Sequence, residues 1–207
     1  MKVLIACEYS GTVRNEFTKL GHDATSCDLL PTDKPGKHYQ GYVEDIINDG
    51  WDLMIAHPPC THLAVSGAKH FHKKEKEQAE ALAFVRLLLN APIPKIALEN
   101  PVSIISSRIR KPDQIVQPWM FGHEATKTTC LWLKGLPKLE PTNIVGKGER
   151  VITKGGNSLP KWYNLPPGPD RWKIRSTTFK GIAEAMAKQW SNEKTIISPV
   201  LEINFGA

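Results

Sequence analysis

The sequence predicts an α/β protein with a mostly parallel central sheet. Short apolar runs of strand length alternate with segments that carry apolar residues at helical spacing. Acidic residues, or a cysteine after prolines, follow several of these runs directly. Strands that alternate with helices form parallel sheets through right-handed crossovers, and ligands bind at the carboxyl ends of such strands. We therefore expect the functional residues to meet at one edge of the sheet.

The first elements illustrate this alternation. Residues 3–7 form an apolar run of strand length, and a turn over residues 8–11 follows. Beyond the turn, Val13, Phe17 and Leu20 are spaced like the buried stripe of a helix. These features predict a strand followed by a helix.

The same pattern continues along the chain. Residues 24–28 predict a second strand that ends in Asp28, a short third strand precedes Asp45, and residues 53–56 predict a fourth, buried strand. The remaining predicted elements are a helix over 75–90, strands over 96–98 and 130–133, a loop-rich stretch over 134–171, a final helix over 182–190 and a short strand beyond residue 192. Together they predict a β-α-β arrangement.

The composition limits the class of protein. The chain has 207 residues, of which 41% are hydrophobic and 23% charged, as expected for one globular domain with a small appended region. No apolar stretch approaches the roughly 20 residues that cross a bilayer. The apolar start of the chain is also too short for a signal sequence. We therefore expect a soluble protein with no membrane partner.

The cysteines and the charge bear on location and partners. Cys7, Cys27, Cys60 and Cys130 stand far apart and form no metal-binding spacing. This pattern favours a reducing compartment, the cytoplasm, and no bound metal. The formal net charge of +6 is compatible with a polyanionic partner such as DNA.

A cysteine and a glutamate follow two of the apolar runs. The string His-Pro-Pro-Cys at residues 57–60 ends one run, and Glu-Asn-Pro at residues 99–101 ends the other. Two prolines fix φ and remove two N–H donors, so the chain leaves the sheet in a rigid turn that presents Cys60. A thiolate adds readily to carbon 6 of a pyrimidine, and a carboxyl group of raised pKa can protonate ring nitrogen 3. Cys60 and Glu99 fit these two roles.

The order of the motifs resembles the cytosine-C5 DNA methyltransferases, and most of all their short phage-type members. The matching segments are residues 3–11, Cys27-Asp28, Asp45, residues 57–60 and residues 99–101. The resemblance implies an α/β, Rossmann-like class I S-adenosylmethionine-dependent methyltransferase with a mostly parallel central sheet and a much reduced target-recognition region. It further implies methylation of carbon 5 of cytosine in DNA through a covalent adduct of Cys60 at carbon 6, with Glu99 as the second catalytic residue.

The resemblance also implies a site for S-adenosylmethionine. The first turn would hold the methionine part of the cofactor, Asp28 the ribose hydroxyls and Asp45 the adenine amine. The implied cofactor-binding residues are Ala6, Cys7, Glu8, Tyr9, Ser10, Gly11, Asp28, Asp45 and Pro58. The implied substrate-binding residues are Pro59, Ser66, Asn100, Lys127 and Arg175.

The later motifs depart from the family in two ways. Residues 121–128 lack the family's arginines and offer Lys127 instead, which has no planar fork for a phosphate. Residues 175–182 resemble the last family motif, whose helix packs back on the cofactor site. Little chain remains for a recognition lobe. We predict a catalytic and cofactor-binding core over 1–133, a loop-rich reduced recognition region over 134–170, and a C-terminal helix that completes the core, plus a tail, over 171–207.

Other interpretations stay open. The same chemistry on a free cytosine nucleotide or on single-stranded nucleic acid would suit the small recognition region, and a non-catalytic nucleic-acid-binding protein could retain the fold. Glu99 could act as a helix cap, and Asp28 and Asp45 as plain turn residues. Trp162 could stack on nucleotides or pin its loop to the core. The histidines, His57 among them, match no zinc spacing and are interpreted as solvated or loop residues.

Overall fold

A computed structural model describes residues 1–153 and 155–191 of the chain. The strand predicted beyond residue 192 lies outside these residues. The structure confirms an α/β fold with a mostly parallel sheet of seven strands. These strands are β1 (Lys2–Ala6), β2 (Asp23–Asp28), β3 (His38–Gln40), β4 (Leu53–Ala56), β5 (Lys95–Asn100), β6 (Gln114–Val116) and β7 (Thr129–Lys134).

The strand order in the sheet is β3-β2-β1-β4-β5-β7-β6. The strands β1 to β5 pair parallel with one another, whereas β7 pairs antiparallel with both β5 and β6. The order of the first five strands is that of a doubly wound sheet, which reverses its winding between β1 and β4. The carboxyl ends of these two strands therefore flank the crevice in which such sheets bind ligands.

Helices cover both faces of the sheet. The α-helices are α1 (Thr12–Lys19), α2 (Glu75–Leu89), α3 (Ile105–Arg108), α4 (Arg171–Ser176) and α5 (Lys180–Ser191). Alternate residues of β1 enter opposite cores: Val3 packs with α1 and α5, and Leu4 packs with α2. This alternation follows from the two-residue period of a strand, and it explains why the central strands are apolar along their whole length.

Three parts of the fold differ from the sequence prediction. Residues Val65–Lys73 form consecutive 3₁₀ turns where a loop was expected. Within the loop-rich stretch, β8 (Arg150–Ile152) and β9 (Ser158–Pro160) form a separate antiparallel hairpin, and Lys161–Asn164 form a 3₁₀ helix. The third difference is β6, which pairs with β7 at the edge of the sheet. The strands and Lys161–Asn164 are too short to show an apolar period in the sequence, and in Val65–Lys73 the glycine and the polar residues are typical of a loop.

A buried arginine holds the loop between β2 and β3. Arg14 of α1 is fully buried. Its guanidinium donates to the hydroxyls of Ser26 (2.9 Å) and Thr32 (3.1 Å) and to the carbonyls of Lys34 (2.7 Å) and Pro35 (2.9 Å). A guanidinium presents its donors in a rigid fork, so one side chain can satisfy several loop carbonyls at once. The loop that follows Asp28 is thereby fixed to the first helix.

Replacement of this arginine tests its structural role. We expect Arg14→Met to lower the free energy of unfolding by about 3 kcal/mol, because several charge-assisted hydrogen bonds are lost and loop carbonyls are left without partners. Urea denaturation measures the change. The control is Arg86→Met, because Arg86 donates to one carbonyl at the surface. For this variant we expect the free energy of unfolding to fall by less than about 1 kcal/mol. Equal losses in the two variants would contradict the role of Arg14.

Candidate active site

The predicted site residues lie at the carboxyl ends of β1, β4 and β5, which are neighbours in the sheet. Residues 57–60 follow β4, and Glu99 and Asn100 are the last two residues of β5. The turn over residues 7–11 connects β1 to α1. The edge of the sheet therefore brings the thiol, the carboxylate and the first turn together, as the sequence predicted.

The turn that carries Cys60 is held from both sides. The backbone N–H of His57 donates to the carbonyl of Ala6 at 2.9 Å, and the side-chain amide of Asn100 donates to the carbonyl of Pro58 at 2.9 Å. The carbonyl of Cys60 accepts from the backbone of Leu63 at 3.0 Å. Because prolines cannot make ladder hydrogen bonds themselves, these contacts take the place of a ladder. Asn100 thus braces the turn from inside the protein.

His57 and Glu99 form a buried pair. Nδ1 of His57 lies 2.6 Å from Oε2 of Glu99, and the two side chains are 12% and 11% exposed. Burial raises the pKa of Glu99, but the hydrogen bond from His57 and the charge of Lys127 outweigh it, so its pKa falls from 4.5 to about 2. Burial lowers the pKa of His57, yet the hydrogen bond and charge of Glu99 raise it overall. The expected raised pKa of Glu99 is therefore wrong in the free protein, where the shared proton resides on His57.

Cys60 lies exposed at the rim of the site, unlike the buried Cys27 and Cys130. Desolvation of the thiol raises the pKa of Cys60. The charges of Lys127 and Arg175 counter this effect, whereas the charge of Glu99 adds to it. The thiol is therefore protonated in the free protein, and the two cations favour its ionisation when a substrate is present.

Two cations and an aromatic ring stand beside the thiol. Nζ of Lys127 lies 5.2 Å from the centre of the Trp162 ring, and the guanidinium of Arg175 lies 5.5 Å from the same ring. Trp162 also packs against Phe179, with 6.5 Å between ring centres. Each cation is thus positioned by a cation–π contact. Trp162 connects the loop-rich stretch to the site, and its ring contacts agree with a pinning role.

The turn over residues 7–11 is closed by its own carboxylate. Glu8 is buried and accepts from the backbone N–H groups of Val13 (2.7 Å) and Arg14 (3.2 Å) at the start of α1. The hydroxyl of Ser10 also donates to Glu8, at 3.2 Å. Gly11 has a φ of 63°, which glycine adopts without strain and which turns the chain into the helix. Glu8 therefore caps α1 and occupies the donors at which an anionic ligand would otherwise bind.

A cavity of about 310 Å³ opens beside this turn. Most of its lining is apolar, with carboxylates from Asp28 and Glu44. The lining residues are Cys7, Cys27, Asp28, Leu29, Gly41, Tyr42, Val43, Glu44, Pro59 and Phe84. Burial, followed by the charge of Asp28, raises the pKa of Cys7, and the same causes raise that of Cys27 to about 12, so both thiols are neutral.

The structure distributes the other predicted residues differently. Pro59 lines the cavity and Pro58 is buried behind the turn, which is the reverse of the roles that the resemblance implied for the two prolines. Asp45 accepts a hydrogen bond from the hydroxyl of Tyr39 at 3.0 Å, and its neighbour Glu44 lines the cavity. Ser66 is exposed on the segment Val65–Lys73.

Tyr9 faces the second half of the molecule. Its hydroxyl lies 3.0 Å from the hydroxyl of Ser176, and its ring packs on Trp172 at 5.4 Å between centres. Helix α4 therefore lies against the turn over residues 7–11. This contact accounts for the predicted proximity of the last motif to the first.

Sequence reasoning missed His57 as a site residue. It was interpreted as a solvated or loop histidine, but it is buried between two strand ends. Its position directly after the apolar residues of β4 was the available signal, since a residue that continues a buried strand is itself drawn inside. Glu44 carried no signal that set it apart from Asp45.

Two features are absent from the described residues. Among residues 1–153 and 155–191, no group of three or more His, Cys, Asp or Glu side chains is arranged to hold a metal ion. None of the helices in this part of the chain has the length and apolar character needed to cross a membrane.

Comparisons with known proteins find similarity among solved structures. No family model and no curated protein matches the sequence. Among solved structures, the chain is similar to a proposed DNA modification methyltransferase encoded within a prophage of Escherichia coli, with 16% sequence identity and a TM-score of 0.45. The similarity covers 70% of this chain and 51% of that one, so the protein spans about half the length of the structure it matches.

The His57–Glu99 pair predicts a characteristic pH dependence of stability. The pKa of Glu99 is depressed from 4.5 to about 2, so its contribution is present above pH 4.5 and is lost as the pH falls towards 2. The pKa of His57 is raised above 6.5, so its contribution is present below pH 6.5 and is lost as the pH rises through the folded-state value. Glu99→Gln should therefore destabilise the protein most between pH 4.5 and 6.5, by on the order of 3 kcal/mol.

Urea denaturation of both proteins across this pH range measures the difference. The control is Glu149→Gln, which breaks the exposed pair of Glu149 with Lys161. We expect this variant to behave like the wild type, because exposed pairs contribute little. A difference in free energy of unfolding between Glu99→Gln and the wild type that stays constant from pH 4.5 to pH 9 would contradict the predicted role of the pair.

Proposed function

We propose that the protein is an S-adenosylmethionine-dependent methyltransferase that methylates carbon 5 of cytosine in DNA through a covalent adduct of Cys60. One observation carries the proposal: an exposed thiol and a buried carboxylate follow neighbouring strands of a doubly wound sheet, beside a cavity with acidic groups. A thiol and a carboxylate in this arrangement suit nucleophilic addition to a pyrimidine. The motif order in the sequence supports the same reaction.

The charges around the cavity support a cationic cofactor without phosphates. In dinucleotide-binding folds the pyrophosphate binds the N–H groups at the start of the first helix. Here the carboxylate of Glu8 already occupies those groups at α1, and it would repel a phosphate. S-adenosylmethionine has no phosphate and carries a positive sulfonium, so the acidic surroundings suit it.

The lining of the cavity fits the adenosine part of this cofactor. Leu29, Val43 and Phe84 offer apolar surface for a flat base, and the carboxylates of Asp28 and Glu44 can accept hydrogen bonds from hydroxyl or amino groups. We propose that Asp28 holds the ribose hydroxyls. The resemblance implied that Asp45 binds the adenine amine, but the carboxylate that lines the cavity is that of the adjacent Glu44. We therefore propose that Glu44 binds this amine.

The proposed reaction uses the residues of the chain as follows. The cofactor supplies an electrophilic methyl group. Cys60 gives its proton to solvent at the exposed rim and bonds through sulfur to carbon 6, while ring nitrogen 3 takes a proton from the side of Glu99. The resulting enamine would take the methyl group through carbon 5, as the bond between the methyl group and the sulfonium sulfur of the cofactor breaks and leaves a neutral thioether. A base then removes the proton of carbon 5, nitrogen 3 returns its proton, and the bond between sulfur and carbon 6 breaks.

The cations suit a nucleic-acid substrate. Lys127 and Arg175 lie near Cys60 and beside the same Trp162 ring, and they can neutralise phosphates next to the target base. Lys127 supplies a positive charge in the segment where the resemblance implies arginines. We propose that Lys127, Arg175, Ser66 and Asn100 belong to the substrate side of the site, with Asn100 acting through its support of Pro58, whereas Pro59 lines the cavity proposed for the cofactor.

The small recognition region favours a second candidate substrate. Between β7 and α4, the described residues form the β8–β9 hairpin and one 3₁₀ helix. Enzymes that act inside a duplex must extrude the base and fill the gap, and this region offers little for that purpose. Single-stranded DNA or a free cytosine nucleotide therefore remains the alternative. We retain the proposed division into a core over 1–133, a reduced recognition region over 134–170 and a completing segment over 171–207.

Methyl transfer tests the proposed reaction directly. We expect tritiated methyl from S-adenosylmethionine to reach carbon 5 of cytosine in one of three substrates: duplex DNA, single-stranded DNA or dCMP. Cys60→Ser should reduce the rate by at least about 10⁴-fold, because a serine hydroxyl is a far weaker nucleophile. The control is Cys130→Ser, which changes a buried thiol of β7 that a substrate cannot reach and should keep most of the activity. Label that persists in Cys60→Ser would disprove the covalent route.

Cofactor binding tests the cavity separately. We expect Asp28→Asn to weaken binding of S-adenosylmethionine by about 10-fold or more, because hydrogen bonds to a charged acceptor are lost. Asp23→Asn is a matched control, since Asp23 begins the strand that Asp28 ends and lies at the opposite edge of the sheet. Calorimetric titration with S-adenosylmethionine, without any substrate, gives the dissociation constants of both variants. Unchanged affinity in Asp28→Asn would remove this residue from the proposed cofactor site.

A further inference from the structure

The proposed reaction leaves one proton without a source. Ring nitrogen 3 must gain a proton as Cys60 adds to carbon 6, yet Glu99 is a carboxylate in the free protein because His57 and Lys127 stabilise its charge. A carboxylate can only accept hydrogen bonds. A neighbour of Glu99 must therefore supply the proton, and this question rests on the proposed function.

His57 is the neighbour placed to supply it. Its Nδ1 lies 2.6 Å from Oε2 of Glu99, whereas the hydroxyl of Thr178 lies 3.5 Å from the same oxygen. The imidazole cannot easily turn away, because its backbone is tied to Ala6 and the rigid Pro58 follows. The other nitrogen, Nε2, is buried without a hydrogen-bond partner among the described residues. Nδ1 is therefore the atom of His57 that exchanges a proton with the site.

We propose that His57 is a positioning residue that holds, at Nδ1, the proton that Glu99 delivers to nitrogen 3 of the cytosine. When sulfur bonds to carbon 6, nitrogen 3 takes a proton from Glu99, and Glu99 takes the Nδ1 proton from His57. His57 becomes a neutral imidazole that keeps its proton on Nε2. When the bond between sulfur and carbon 6 breaks, the proton returns along the same path, so no outside acid is consumed.

The charged groups around His57 set the pH range over which it holds this proton. Glu99 faces it from β5 and Glu8 from the turn after β1, and both favour the imidazolium. Lys127 faces it from the segment before β7 and opposes the imidazolium. The same Lys127 also stabilises the Glu99 carboxylate. Its positive charge therefore favours release of the shared proton from the His57–Glu99 pair to ring nitrogen 3, which carries no charge.

The first arm of the test measures the protonation of His57 without any cofactor. In the wild type labelled with ¹⁵N-histidine, we expect NMR to show both nitrogens of His57 protonated at pH 6.5, with titration at higher pH. In Glu99→Gln the charge and the charge-assisted hydrogen bond of Glu99 are lost, so burial and Lys127 outweigh Glu8 and His57 should titrate below pH 6.5. A His57 that is neutral at pH 6.5 in the wild type, or that titrates identically in the two proteins, would overturn the proposal.

The second arm measures proton delivery. Reversible addition of Cys60 lets the hydrogen on carbon 5 exchange with water, so tritium release from 5-tritiated cytosine in DNA or dCMP reports the step without methyl transfer. The informative variant is His57→Asn, whose amide can still donate to Glu99 but cannot give up a proton. We expect exchange to fall about 10²-fold, while S-adenosylmethionine binds as in the wild type. The break in the pH profile of exchange at the His57 pKa should also disappear.

The outcomes separate this inference from the proposed function. Exchange in His57→Asn within a few fold of the wild type would show that His57 only supports the fold, and would overturn the inference while the methyltransferase proposal stands. Absence of exchange in the wild type with all substrates, together with absence of methyl transfer, would overturn both. Loss of exchange in Cys60→Ser confirms that the assay reports the thiol addition.

Discussion

The position of β4 between β1 and β5 is the constraint on which the site depends. Because the three strands are parallel, their carboxyl ends meet, and the four residues after β4 each face a different neighbour. His57 contacts Glu99, Pro58 is held by Asn100, Pro59 lines the cavity and Cys60 reaches the rim. A register shift of one residue would exchange all four environments. The hydrogen bonds that tie this turn to both neighbouring strands therefore stabilise the chemistry as well as the fold.

The charges divide the site into two halves. Carboxylates from Asp28 and Glu44 line the cavity, whereas Lys127 and Arg175 are not among its lining residues and lie near Cys60. A cationic cofactor and an anionic substrate would thus each meet the opposite charge, which favours binding of the two in the correct halves. The charge of Lys127 also acts on the His57–Glu99 pair, whose shared proton is the one that we propose reaches the cytosine.

Local chemistry explains which parts of the structure the sequence could predict. The central strands and α1, α2 and α5 follow from apolar periods, and the turn at Cys60 follows from two adjacent prolines. The antiparallel direction of β7 depends on distant pairing, which no local pattern encodes. The protonation of Glu99 could not be predicted either, because His57 lies 42 residues away in sequence. Glu44 and Asp45 both belong to the 3₁₀ helix Val43–Asp45. The rotation of this helix decides which of the two carboxylates faces the cavity, and a helix of three residues is too short for its sequence to reveal that rotation.

The small recognition region contributes to the site itself. Trp162 follows the β8–β9 hairpin, and its ring lies close to both Lys127 and Arg175, which belong to segments on either side of that region. These contacts join the region to the two cations near Cys60. Its residues then serve to position the two cations that a substrate phosphate would meet. If so, specificity in this protein arises from how a cytosine is presented to the site, in a single strand or as a nucleotide, more than from contacts to neighbouring base pairs.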